Sequence, residues 1–521
     1  MDSDGEEGGA TMTYADVDRH FNSMELDGPS AQERIDHIIP FLLALLPPPF
    51  VPVPDADADS DSDDDRFSLT SSDSEASDGG AGHAAAFTAP GDGEDHIGRL
   101  PDTILANIIH RLPTNDAGRT AALSPQWRRV WRATPLLVDD AHFARGGAGG
   151  PRDIPVVRAL SRCVAAHPGP VGAVRITRVS FYDHEYPLGR LVAALADKGV
   201  QDLILFNRPW PLDMPLPADI LRCTTLHRLY LGVWKFPKTT AARPPAFPHL
   251  RELGLFHSIV RNEDLDALLA HSPKLEVLSV VMSYGDPSRL RLASHSLEVS
   301  VEWLSFVDEV VVQDAPCLKR LLFESMVKDR LVKIVRAPKL EVLGFLDLSL
   351  HVLEIGGTVI RAGVNVGASA MVPSLKILAV KVKFACNSEA KMLPTLLRCF
   401  PCLETLHIMS MPSESPDIVD DLKFWESRGP CECLQSHLKT VVLHGHLSSM
   451  HEVGFLKFIM REAKVLKTMG FIHRTEKGEN FRASVGSSNE VSLSVATPRW
   501  SFQNAIDSTL EDPFYLVRAE A

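Results

Sequence analysis

Six times between Pro248 and Ile408 the chain repeats Pro-x-Leu-x-x-Leu followed by an apolar residue two positions on, and no other feature limits its folding so strongly. The copies are Pro248/Leu250/Leu253/Leu255, Pro273/Leu275/Leu278/Val280, Pro316/Leu318/Leu321/Phe323, Pro338/Leu340/Leu343/Phe345, Pro373/Leu375/Leu378/Val380 and Pro401/Leu403/Leu406/Ile408. Weaker copies lie at Leu203/Leu205, Leu226/Leu229/Leu231, Leu297/Val299/Val301 and Leu438/Val441/Leu443. From Leu226 the first leucines step by 24, 25, 22, 21 and 22 residues, then by 35 (340 to 375) and 28 (375 to 403). The two long steps imply insertions or a missed copy such as Leu353/Ile355. A unit of this length cannot bury its apolar face alone, so the copies must stack.

Each copy predicts a short strand whose leucines enter a shared core while the intervening residues face out along one parallel sheet. The preceding proline lacks a ladder donor and forces an extended residue before it, which suits the corner where the chain turns into the strand. The period falls in the range of about 20–29 residues, and the chain resembles a leucine-rich-repeat protein. That resemblance implies an α/β solenoid, a parallel β-sheet horseshoe. Intervening residues such as Arg251, Glu252, Glu276, Lys319, Arg320, Glu341, Lys376 and Glu404 carry mixed charge. Their pattern fits a polar surface for a target protein and equally an ordinary solvated sheet.

A second dense signal occupies Asp95 to Asp140. Pro101 opens a helix, with Asp102 at the positive end of its dipole. Ile104, Leu105, Ile108, Ile109 and Leu112 recur at helical spacing, and Pro113 stops the run. Ser124-Pro125 repeats the opening signal and sets Trp127 and Trp131 one turn apart on one face. Helices this short bury little by themselves, so part of the apolar stripe is expected to meet another protein.

This segment resembles an all-α F-box of the plant form, on Leu100-Pro101-Asp102, Ile104-Leu105, Leu112-Pro113, Arg119-Thr120, Leu123-Ser124, Trp127-Arg128 and Trp131. The resemblance implies a Skp-family adaptor as partner and, through it, a cullin. The adaptor-binding residues it implies are Leu100, Pro101, Ile104, Leu105, Ile108, Leu112, Leu123, Trp127 and Trp131. Gly118, where a larger residue is common, weakens the second helix by about 1 kcal/mol relative to alanine. Pro125-Gln126 stands where a basic pair is usual.

The far end of the repeats has a candidate closing element. Trp425-Glu426, Cys431 to Val441 and Glu452 to Met469 together resemble the FBD region that follows the repeats in many plant F-box proteins. Ser449-x-x-Glu452 starts a helix with Val453, Leu456, Ile459, Met460 and Ala463 on one face, expected to cap the solenoid.

Charge divides the chain. Residues 1–95 hold 23 acidic and three basic residues, a net of -20, while the remaining 426 hold 44 acidic and 50 basic, a net of +6. The tail up to 94 is therefore expected to be disordered, with Asp55 to Asp78 extended by self-repulsion. Ser60, Ser62 and Ser72 each precede an acidic residue by three positions, a pattern acidophilic kinases favour. One exception is Ser30-Ala-Gln-Glu33 before Ile35, Ile38, Ile39, Leu42 and Leu43, a short amphipathic helix that either docks or forms transiently in an open tail. The composition around it favours the transient form. Without lysine/arginine runs the body does not read as a nucleic-acid binder.

Arg145 to Pro151 reads as a flexible joint. The expected organisation is a tail over 1–94, an F-box over 95–140, repeats over 150–424, an FBD-like cap over 425–480 and a C-terminal segment over 481–521. The N-terminus lacks a basic signal-peptide start, and the run Ile38 to Leu46 is too short to span a membrane. A cytosolic or nuclear protein with reduced cysteines is expected.

Cys399, Cys402, Cys431 and Cys433 are the only candidate metal set, but Cys402 fills a slot held by His249, Lys274, Cys317, Lys339 and Ser374 in other copies, which marks it as solvent-facing. His437, His444, His446 and His451 read as surface or strand-end histidines. With no nucleophile elbow, phosphate loop or dinucleotide fingerprint, no metal, cofactor or catalytic residue is expected. The sequence thus reads as a substrate receptor of a Skp–cullin–F-box ubiquitin ligase with an unknown target. The rival is a repeat scaffold with a degenerate F-box.

Overall fold

The computed structural model describes residues 39–51, 97, 99–143, 153–182, 184–207, 214–240, 244–283, 286–324, 329–412, 422–444, 450–472, 492–495 and 500–514. The serine-rich acidic stretch with Ser60, Ser62 and Ser72, the Ser30–Glu33 capping box with Ile35 and Ile38, the whole joint Arg145 to Pro151, His446 and Ser449 lie outside the described residues.

Among the described residues fourteen strands form one sheet that runs in chain order from Leu136–Asp139 to Ser492–Val495, every adjacent pair parallel. The repeat leucines stand in register across it: Leu203, Leu229, Leu253 and Leu278 align, and beyond them Leu321, Leu343, Leu378, Leu406, Val441 and Met469. The row is interrupted once, at Ser300. On this face the leucines form one continuous core with the flanking helices, and their side chains are almost wholly buried. A stack of copies thus does what one copy cannot.

What backs the sheet changes with repeat length. Helices Asp153–Ala166, Glu185–Asp197 and Asn262–Ala270 serve the early repeats, and Leu393–Cys399 and Met450–Glu462 the late ones. Between them the steps of 21 and 22 residues leave too little chain for a helix. There a second sheet takes over, with parallel strands Arg289–Leu292, Glu309–Val312, Arg330–Ile334 and His351–Ile355 and an antiparallel edge, Thr358–Val359. Leu353/Ile355 is therefore not a missed copy of the repeat; it belongs to this second sheet.

The register also corrects one weak copy. In the segment after Leu297, Ser300 and Glu302 occupy the inward slots that Leu278 and Val280 fill next door, while Val299 and Val301 join the opposite face. Alternation of apolar residues misled because the inward pair here is polar.

The main sheet does not stop near 424. Strands Thr440–His444, Thr468–Ile472 and Ser492–Val495 extend it, and the helix Met450–Glu462 buries Phe455, Leu456, Phe458 and Ile459 against the same core as Trp425. The segment expected to close the solenoid is a further repeat of it. At the other end the strand Leu136–Asp139, inside the expected F-box span, already pairs with Val171–Ile176.

The tail is not disordered throughout. Residues 39–44 form a helical turn, and Ile39, Leu42, Leu45 and Leu46 are buried on the sheet face opposite the helices. The docked alternative, not the transient one, describes these residues.

Candidate functional site

The F-box has a core of its own. Helices Asp102–Ile109, Thr114–Arg119 and Pro125–Ala133 enclose Leu105, Ile109, Ala117, Trp127 and Val130. Ser124 caps the third helix, accepting from the Trp127 N–H at 3.3 Å, with Pro125 at the first helical position. Gln126, the departure from the usual pattern, clasps the first helix to the third: its Nε2 donates to the Leu100 carbonyl at 3.2 Å and to Asp102 at 3.0 Å. Arg129 Nη2 adds a contact to Asp102 at 3.0 Å. The Gln126 hydrogen bond and the Arg129 guanidinium hold the Asp102 carboxyl below its ordinary range.

Of the nine residues expected to face an adaptor, Pro101, Ile104 and Leu123 are exposed, Ile104 at 44 % and Leu123 at 67 %. Leu100, Ile108, Leu112 and Trp131 are half-buried against the helical core. Leu105 and Trp127 are interior, at 0 % and 5 % exposure, so they hold the surface in shape and do not themselves form it. Helical periodicity marks one face without saying how much of it the third helix covers. Ile97, at 57 % exposure, is a further apolar surface residue of the module, marked in the sequence only by an isoleucine three residues before Leu100 in a polar setting.

Several contacts fix this module to the first strands of the repeat sheet. Trp131 meets the His167 ring edge-on at 4.8 Å, and His167 Nε2 lies 3.1 Å from the Thr134 carbonyl. Burial holds the His167 imidazole below its ordinary pKa. Thr114 Oγ1 donates to the Leu137 carbonyl at 3.1 Å, and the Thr114 N–H donates to His142 Nδ1 at 3.2 Å. The docking helices and the sheet therefore share a direct, packed junction.

The open face of the sheet differs from the sequence reading. Its outward residues Ile204, Phe206, Tyr230, Phe256, Val281, Trp303, Leu322, Phe345 and Ala379 form one buried apolar cluster with residues from 39–46 and 500–514, while Arg320, Glu324 and Lys381 share the same face. Gly232 and Gly254 make room for the aromatic rings of neighbouring strands, since a Cβ at either would lie 2.1 Å from Phe206 or 2.5 Å from Tyr230. The charged residues sit at the strand starts and pair between repeats: Arg251 with Glu276 at 2.5 Å, Lys319 with Glu298 at 2.7 Å, Lys376 with Glu341 at 2.9 Å, and Lys439 with Glu404. Arg320 is buried, its guanidinium donating to the Asp507 carbonyl at 2.7 Å.

His444 is not at the surface. It is buried 3.2 Å from His407, whose other nitrogen meets Asp512 at 2.9 Å, and burial with the nearby imidazole pushes His444 down to about 3. Among the cysteines, Cys399 donates to Thr395 O and Cys433 to Leu397 O, and Cys431 and Cys433 sulfurs lie 3.4 Å apart. Among the described residues no group of three or more His, Cys, Asp or Glu is placed to hold a metal ion, and no helix is long and apolar enough to cross a membrane.

Comparison with known families and proteins agrees with this layout. The F-box domain family matches residues 97–139, the leucine-rich repeats described for the FBD-associated F-box protein At5g56370 match 188–408, and the FBD family matches 426–471. The F-box/FBD/LRR-repeat protein At1g13570 of Arabidopsis thaliana is 22 % identical over 388 residues, covering 73 % of this chain and 91 % of that protein. The FBD-associated F-box protein At3g52670 of the same plant is 27 % identical over 391 residues, covering 72 % and 88 %. A third Arabidopsis relative, the F-box/FBD/LRR-repeat protein At1g51370, is 24 % identical over 428 residues. With its helical module, in-register leucine sheet and FBD segment in that order, the chain has the layout of the plant F-box/leucine-rich-repeat proteins that carry a C-terminal FBD region, and is similar to them.

Proposed function

We propose that this protein is the substrate-recognition subunit of a Skp–cullin–F-box ubiquitin ligase. An F-box implies a Skp-type adaptor as partner. In this reading Pro101, Ile104 and Leu123, flanked by Leu100, Ile108, Leu112 and Trp131, hold the adaptor and through it the cullin, while the repeat body holds a target protein. The observation that carries it is the exposure of Ile104 and Leu123 on a module whose own core is complete. Large apolar side chains left in water beside a filled core mark a surface made for a partner. The receptor carries out no bond chemistry. It raises the local concentration of target lysines near a charged conjugating enzyme, an effect of tethering. The reading places the protein in the cytosol or nucleus, where eight unpaired cysteines stay reduced.

Co-purification with a Skp-type adaptor tests it. Wild type is expected to bind, and Ile104→Asp with Leu123→Asp to bind at least about a hundredfold more weakly, the loss of two apolar anchors that the adaptor would cover. No binding by the wild type at micromolar adaptor overturns the ligase reading in favour of a repeat scaffold.

A further inference from the structure

We propose that the open face of the repeat sheet, over the strands Val171–Ile176 to Arg228–Gly232, is a docking groove for a short amphipathic helix, and that residues 39–51 are its exchangeable occupant in cis. Three observations lead there. The groove is apolar and shaped: Phe206 and Tyr230 lie over Gly232 and Gly254, which leaves a lane of rings and backbone in place of the solvated charges a free sheet would show. The occupant enters with Ile39, Leu42, Leu45 and Leu46, all at most 7 % exposed, and leaves through Pro47-Pro48-Pro49. Proline cannot donate to a sheet and stiffens the exit, so the segment is seated by its four apolar side chains and not by strand pairing.

The two segments on this face are held very differently. Residues 500–514 are fastened by polar anchors: Trp500 Nε1 to Glu324, Arg320 to the Asp507 carbonyl at 2.7 Å, and His407 to Asp512 at 2.9 Å. Ring contacts add to these, with Trp500 stacked on Trp303 at 5.3 Å and Phe514 against Phe345 at 4.9 Å. By contrast, among the described residues the hydrogen bonds that fasten 39–51 to the body are Arg175 Nη1 to the Pro47 carbonyl at 2.7 Å and Gln503 Nε2 to the Ala44 carbonyl at 2.9 Å. Both use main-chain oxygens of the occupant. Ala44 ends the helical turn and Pro47 lies beyond it, so any short helix with the same apolar spacing and an open C-terminal end offers equivalent oxygens, and the groove reads shape and hydrophobicity more than side-chain identity. The Arg228 guanidinium, 5.7 Å from the Phe50 ring, is likewise a contact another aromatic would satisfy.

A target that presents an amphipathic helix with apolar residues at i, i+3, i+6 and i+7 would therefore compete with residues 39–51. That clause rests on the receptor reading above; the groove and its occupant do not. Because a tethered segment acts at an effective concentration on the order of millimolar, the full chain should resist a free peptide by a factor of about a hundred or more.

The test uses the full-length chain and an isotope-labelled peptide of residues 36–51. In the variant Leu42→Asp with Leu46→Asp, which ejects the occupant, the peptide is expected to bind, and in the wild type to bind about a hundredfold more weakly. Binding to neither chain, with the variant still melting cooperatively, overturns the proposal, as does equal binding to both. Should the variant not fold, hydrogen exchange of the wild type decides: millimolar peptide is expected to deprotect the chain's own residues 39–46, and unchanged protection overturns exchange. Concentration-dependent dimers of the wild type that the variant lacks would assign the segment to a second copy and overturn occupancy in cis. Adaptor binding is unaffected by any of these outcomes and is measured separately.

Discussion

Arg330 and Glu302 form an ion pair at 2.5 Å with both side chains no more than 1 % exposed, joining the second sheet to the main one. Glu302 stands in a slot that Val280 and Phe323 fill in the adjoining repeats. Arg330 also donates to the Val307 and Ser305 carbonyls, both at 2.7 Å, so the buried guanidinium is satisfied on three sides. Replacing Glu302 alone by leucine leaves that charge without its counter-ion and should cost about 3–5 kcal/mol in urea unfolding. Leucine at 302 together with Arg330→Met should recover most of the loss, since a packed apolar pair needs no counter-charge.

Ile104 and Trp127 separate contact from support within the F-box. Ile104→Asp should change stability by no more than about 0.5 kcal/mol while removing adaptor binding. Trp127→Ala empties the helical core and should cost about 3–5 kcal/mol, read as loss of the near-ultraviolet circular dichroism of the module. Equal thermal shifts for the two variants would mean that Ile104 is packed inside.

Asp140 gives the protein an acid-favouring contribution. Burial pushes its carboxyl up to about 6 from an ordinary 3.8, although the Thr177 and Arg178 amides donate to it at 2.8 and 2.6 Å. A carboxyl raised in the folded state stabilises most below its unfolded pKa, and that stability is lost as pH rises through about 6. Asp140→Asn keeps an acceptor and removes the charge. It should raise stability by about 1 kcal/mol at pH 8, with the gain shrinking as pH falls towards 4, followed by denaturant melts across that range.

The inter-repeat charges are expected to matter little one at a time. Glu341→Ala removes the partner of Lys376, a pair in which both side chains are roughly half exposed, and should cost about 0–1 kcal/mol, falling in high salt. A loss several times larger in denaturant unfolding would show that the row acts as a coupled network.

How much of this was legible in the sequence depends on which face of each element is considered. The leucines at 250, 275, 318, 340, 375 and 403 announced their strands because a repeated period leaves a mark in any one chain. Ser300 and Glu302 left none, since a polar residue in a core slot looks like a surface residue until Arg330 is placed beside it. Past 424 the sheet continues through the segment that the FBD family matches: Leu438/Val441/Leu443 marks the strand Thr440–His444, while Thr468–Ile472 and Ser492–Val495 carry no leucine repeat to announce them. In the F-box the stripe is readable, but the resemblance that marks Leu105 and Trp127 as adaptor-facing carries no depth, and both lie inside the helical core.

The sequence alone determined the stacking of copies, the leucine face of the sheet, the helical module ahead of it and the polarity of the tail, all carried by local patterns that each segment bears whatever surrounds it. Only the tertiary structure decided what lies on the sheet's other face, because covering it brings residues 39–51 and 500–514 together from opposite ends of the chain. Contacts between such distant segments depend on where the intervening strands deliver them, and no periodicity within either segment encodes that.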